Sequence, residues 1–154
     1  MSCVLGFDVG SRLTGVAVGN QITASARALA TLPMHDDAPD WQQLDVLQRT
    51  WLPHTLVVGL PLTLDGAEQP ASRRARHFAQ LLHARYALPV ALVDERDSSR
   101  EAAQRFAAGR AAGLRRRRDA AAIDAQAAAI ILERWLLDPT ATTPAPSPPA
   151  QSCP

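Results

Sequence analysis

The run Leu5-Gly6-Phe7-Asp8-Val9-Gly10-Ser11 places an aspartate at the end of the first apolar stretch of the chain. Apolar residues before the acid call for a buried strand, and that strand carries the acid to the edge of a core. An isolated charge is costly there. A carboxylate tolerates such a place when it is protonated, hydrogen-bonded or bound to a cation. Two more acids, Glu95 and Asp124, stand in similar settings far along the chain. Three carboxylates able to meet at one end of a sheet point to a divalent-metal site.

The pattern around these acids predicts strands first, then alternating helix and strand. Cys3 to Asp8 reads as a buried strand, Gly10 and Ser11 as a turn, and Thr14 to Val18 as an antiparallel partner. Gln21 to Leu32 reads as a third strand and Pro33 to Pro39 as a loop. Asp40 caps a helix on which Trp41, Leu44, Leu47, Gln48, Trp51 and Leu52 recur at helical spacing. Thr55 to Leu60 is a continuous apolar run suited to a central parallel strand. The loop Pro61 to Gly66 leaves its C-terminal end and is expected to border a cleft. A helix over Ala71 to Tyr86 and a strand over Leu88 to Val93 follow. Ser98 or Ser99 opens a further helix to Ala108, Gly109 to Arg118 is a basic connector, and Asp119 caps a last helix to about Leu136. This order argues for an α/β mixed sheet with helices on its faces. The domain is expected over residues 1–137. Residues 138–154, rich in Pro, Thr and Ala, read as a disordered tail.

A length of 154 residues suits one domain. No apolar run is long enough to span a membrane, and the N-terminus lacks the pattern of a secretory signal. Cys3 and Cys153 do not form a framework for disulfides, so a cytoplasmic location is expected. Net charge is +1, yet every basic residue other than His is Arg. From Arg73 to Arg118 there are 12 Arg against four acids, an excess of +8. Arg makes forked contacts to phosphate, so one half of the domain suits a polyanion. Arg12 in the turn beside Asp8, Arg96 beside Glu95, and the run Arg115, Arg116, Arg117 and Arg118 are the candidate nucleic-acid contacts.

In α/β sheets, ligands collect beyond the carboxyl ends of the strands. Two like charges about 4 Å apart repel by roughly 4 kcal/mol at an effective dielectric of 20, so three clustered carboxylates need a cation. Oxygen-only ligands favour Mg²⁺ or Mn²⁺ over Zn²⁺, and such ions support phosphodiester hydrolysis. Each acid also admits a structural role. Asp8 suits a turn, Glu95 an ion pair with Arg96 or Arg100, and Asp124 an exposed helix position. Asp94 rivals Glu95, because adjacent strand residues point to opposite faces and pleating alone does not choose between them.

Together these segments resemble the YqgF family, known as Holliday junction resolvases or pre-16S rRNA nucleases. The resemblance rests on Asp8-Val9-Gly10-Ser11-Arg12 with Gly15-Val16-Ala17-Val18, on Val57-Val58-Gly59-Leu60-Pro61-Leu62, and on Asp65-Gly66. Val93-Asp94-Glu95-Arg96 and Ile123-Asp124-Ala125-Gln126-Ala127-Ala128 complete it, in order, over about Cys3 to Leu136. It implies an RNase H-like (RuvC-like) fold and a metal-dependent endonuclease maturing the 5′ end of 16S rRNA. It also implies that Asp8, Glu95 and Asp124 are the catalytic, metal-binding acids. The chain departs from the family at Asp97-Ser98-Ser99, where the family carries a Leu-Thr-Thr-like segment. Where related resolvases have a second acid, three residues after the last one, it has Ala127. Cleavage of branched DNA by a monomer or a homodimer, and non-catalytic RNA binding in ribosome assembly, are the competing expectations. An ATP-binding reading of the Gly10 to Gly15 turn lacks both a second lobe and a P-loop ending.

Overall fold

A computed structural model describes residues 2–62, 66–94, 120–137 and 143–144. One sheet has the order β4-β3-β2-β1-β5-β6-β7. Its strands are β1 (Cys3–Asp8), β2 (Leu13–Asn20), β3 (Ser25–His35), β4 (Ala38–Pro39), β5 (Thr55–Leu60), β6 (Val90–Asp94) and β7 (Thr143–Pro144). The helices are α1 (Trp41–Trp51), α2 (Pro70–Tyr86) and α3 (Ala120–Leu137). β1 pairs antiparallel with β2 and parallel with β5, and β5 pairs parallel with β6. The carboxyl ends of β1, β5 and β6 therefore share one rim. The expected helix from Ser98 or Ser99 to Ala108 and the basic connector lie outside the described residues.

Pleating sorts the core into two layers. Leu5, Phe7, Val16, Val58, Leu92 and the α2 residues Phe78 and Leu82 form one cluster. Val4, Ala17, Val57 and Val93 pack against Ala128, Ile131 and Leu132 of α3 in the other. α3 is apolar nearly all round, as suits a helix buried on more than one side. Its axis comes close to the sheet because glycines lie beneath it. A Cβ on Gly15 would stand 1.9 Å from the Asp124 carbonyl oxygen, and one on Gly6 would stand 3.0 Å from Leu132 Cβ. On the opposite face, Arg85 of α2 holds Asp45 of α1 through two bonds of 2.9 and 2.6 Å. Tyr86 Oη donates to the same carboxylate at 2.6 Å, and the Arg85 guanidinium lies 4.6 Å from the Trp41 ring centre. These donors hold the Asp45 carboxyl far below the usual carboxylate range.

Beyond shifts of one or two residues at the ends of β2 and β6, three segments differ from expectation. The third strand starts at Ser25 rather than Gln21, because Asn20 Oδ1 accepts the Ile22 and Thr23 amides at 2.8 and 3.3 Å and turns the chain. The segment Pro33 to Pro39 is not a loop. β3 runs on to His35 and pairs with β4. Asp36 and Asp37 take φ of 52° and 61° in the two-residue turn, a conformation that Asp tolerates and that suits a tight hairpin. Thr143–Pro144, expected within a disordered tail, pairs with β6. The outer edge of β6 offers unpaired backbone groups to such a segment.

The contact beneath α3 predicts the consequence of one methyl group. Gly15→Ala should lower unfolding free energy by at least about 1–3 kcal/mol, the usual cost of overpacking, as measured by urea denaturation. Stability equal to the parent would mean that α3 does not rest on β2 at this point.

Candidate nucleic-acid cleavage site

Asp8 is the last residue of β1, half-buried, on the sheet face that α3 covers. Its partner in β2 is Gly15, and facing residues in an antiparallel pair lie about 4.5–5.5 Å apart between Cα atoms. Gly15 is also where the α3 backbone touches the sheet, at Asp124. The two acids thus flank a single glycine. On the other side of Asp8, one step beyond the Phe7–Val58 pair, comes Gly59 of β5. No side chain fills the face of the sheet on either side of the Asp8 carboxylate. Glycine inside a strand often marks such a close approach.

Asp124 is half-buried, not exposed. Burial pushes its carboxyl pKa up, because desolvation penalises the charged form. Asp94 is exposed at the end of β6. It follows the alternation of Val90 and Leu92, which pack on the α1–α2 face, so its side chain belongs opposite Asp8. Its carbonyl accepts a bond from Arg134 Nη1 of α3 at 3.2 Å, which ties the end of β6 to that helix. Glu95, Arg96, Arg115, Arg116, Arg117 and Arg118 lie outside the described residues. Arg12 is exposed in the turn between β1 and β2. Its carbonyl accepts the Met34 amide at 2.8 Å, which fixes that turn to β3. Among the described residues no three His, Cys, Asp or Glu side chains gather as a metal site; Asp8 and Asp124 are the described pair.

Sequence reasoning overlooked three contributors to this site. Gly15 and Gly59 create the space, and their positions inside strand patterns were the available signal. The third is Ser72, fully buried in α2. Its hydroxyl donates to the Pro61 carbonyl and accepts the Gln69 amide at 3.0 Å, so it fixes the start of the loop leaving β5. Nothing in the local pattern marks that serine, because its partner is 11 residues away.

The family described as "RuvX: Holliday junction resolvase" matches residues 2–138. The chain belongs to the RuvX family. A RuvX relative from Xanthomonas axonopodis pv. citri, named "Putative pre-16S rRNA nuclease", is 60% identical over 140 residues, covering 91% of this chain and 90% of its own. One from Xylella fastidiosa strain M23, with the same name, is 59% identical over 143 residues, covering 93% and 92%. The structure of Thermus thermophilus RuvC in complex with a Holliday junction substrate superposes with a TM-score of 0.53 at 16% identity, over 94% of this chain and 99% of that one. This likeness shows the fold, which for RuvX is accordingly RNase H-like. No helix among the described residues is long and apolar enough to cross a membrane.

The burial of Asp124 has a measurable sign. Burial holds its folded pKa above the ordinary carboxylate value, so the native state holds the proton to higher pH than the unfolded chain does. Ionisation therefore subtracts stability as pH rises through that window. Without divalent ions, Asp124→Asn should raise Tm at pH 7, with the gain fading once pH falls below the unfolded carboxylate value. A lower Tm at pH 7 would contradict a desolvated carboxylate.

Proposed function

We propose that this RuvX chain is a divalent-metal-dependent endonuclease acting on precursor 16S rRNA. The observation that carries the reading is the adjacency of Asp8 and Asp124 around Gly15. Two acids whose backbones flank one glycine, one of them partly desolvated, can supply a donor set of hard oxygens. That set fits Mg²⁺ or Mn²⁺ better than softer metals. Glu95, the acid that the family resemblance implies, is the proposed third ligand. When bound, a divalent cation supplies charge for the oxygen atoms of the transition state and activates water for in-line attack.

The chain's own residues hold and orient. Asp8 and Asp124 come from a strand end and a helix, two rigid elements, so their separation is set by packing rather than by loop motion. The small side chains of Ala125, Ala127 and Ala128 let α3 keep that place. Arg12 stands at the rim to receive a phosphate adjacent to the scissile one. Arg96 and the run Arg115 to Arg118 supply further phosphate contacts. The substrate assignment draws on the name that the relatives from Xanthomonas and Xylella carry. The family description favours a second reading, cleavage of branched DNA.

The test is cleavage of precursor 16S rRNA, with a branched DNA junction in parallel, in Mg²⁺ or Mn²⁺. Asp8→Asn should reduce cleavage at least about 100-fold, since even partners one step removed from a metal ligand cost about 10–100-fold. Unchanged turnover would remove Asp8 from the chemistry. Cleavage of the junction alone would replace the RNA substrate with branched DNA.

A further inference from the structure

We propose that a cleft between α2 and the β3–β4 hairpin binds a backbone phosphate of the polynucleotide, on the sheet face opposite α3. The inference rests on the nuclease reading only for the identity of the ligand. The cleft has a volume of about 320 Å³ and is lined by Asp37, Pro70, Arg73, Arg74 and His77. Two guanidinium groups and an imidazole face one carboxylate. Asp37 Oδ1 meets Arg74 at Nε, 3.4 Å away, and this orients the guanidinium while leaving its terminal nitrogens without a described protein acceptor. Arg73 and His77, four residues apart on one face of α2, are exposed, and neither side chain has a described hydrogen bond, although Arg73 is near enough to Glu68 to help hold its carboxyl below the usual range. The first amides of α2 turn inward, Ser72 N to Gln69 O at 2.8 Å and Arg73 N to Gln69 O at 3.3 Å. Recognition in the cleft therefore belongs to side chains. Forked guanidinium donors match the oxygens of a phosphodiester.

The cleft lies on a path from the carboxylates. The Pro61 carbonyl, bonded by Ser72, brings the start of α2 to the carboxyl end of β5, the rim that Asp8 occupies. The hairpin stands at the same rim, because Leu13 pairs with Pro33 and the Met34 amide bonds Arg12 O. A strand leaving Asp8 and Asp124 over Arg12 descends to Arg73 and His77. The ligand is thus a phosphate within a chain, rather than a free anion held in a closed pocket.

The experiment is fluorescence anisotropy of a labelled 5′ precursor fragment of 16S rRNA with the full chain in EDTA, across a salt series. Arg73→Ala/His77→Ala spares the Arg74–Asp37 pair, and Arg73→Glu is the second variant. Arg49→Ala, on the exposed face of α1, controls for lost charge. Losing one phosphate contact should weaken binding and flatten the log K against log salt slope by about 0.7–0.9, with Arg73→Glu weaker still and Arg49→Ala unchanged. A slope equal to the parent in both α2 variants, or an equal loss in Arg49→Ala, overturns the inference. Asp8→Asn separates the two readings. If it cleaves normally, the hydrolytic assignment fails whatever the binding shows; if the α2 variants bind normally, only this cleft fails.

Discussion

The contact between the α3 backbone and Gly15 is the constraint from which the rest follows. A helix apolar on most of its surface must be buried, and here it is buried against a sheet that it meets, at Gly15, with no side chain between them. That approach sets the height of α3 above the sheet. It therefore sets where Asp124 stands relative to Asp8, the residue paired with Gly15. Helix and strand are each rigid, so one backbone contact positions two charges. Burial of Asp124 opposes its ionisation, and a cation bound between the acids would offset that cost. On this account the fold accepts a local electrostatic penalty where the chemistry needs negative charge.

The two faces of the sheet divide the work. The α3 face is crowded with small and aliphatic residues and carries the acids. The α1–α2 face is locked by the Asp45–Arg85–Tyr86 group and by aromatic packing such as Phe7 on Phe78, with ring centres 5.4 Å apart. It turns its arginines outward. On the proposed reading, exposed arginines such as Arg12 would offset the repulsion between the acids and a polyanion.

Much of this was legible in the sequence. β1 and β5, α2 to within one residue, and the Asp40 cap of α1 followed from apolar runs and capping chemistry, which are local signals. Asp8 and Asp124 drew notice because an acid in apolar company is unusual. Placing Asp94 on the α1–α2 face needed the packing of Val90 and Leu92, a tertiary fact. The β3–β4 hairpin was missed because Asp36-Asp37 lacks the glycine that usually announces such a turn. Pairing of Thr143–Pro144 with β6 depends on an open sheet edge that no local pattern reveals. Gly15 and Gly59 were visible as letters, but their meaning came from what lies above and beside them.

The central claim is that Asp8 and Asp124 share one hard cation. Crystals soaked in Mn²⁺ and measured for anomalous scattering test it most directly. The account predicts a single strong peak with a carboxylate oxygen from each residue about 2.0–2.2 Å away, near the distance at which Mg²⁺ is held. A peak bound to only one of the two acids, or no peak at this rim with Mn²⁺ bound elsewhere, would contradict it.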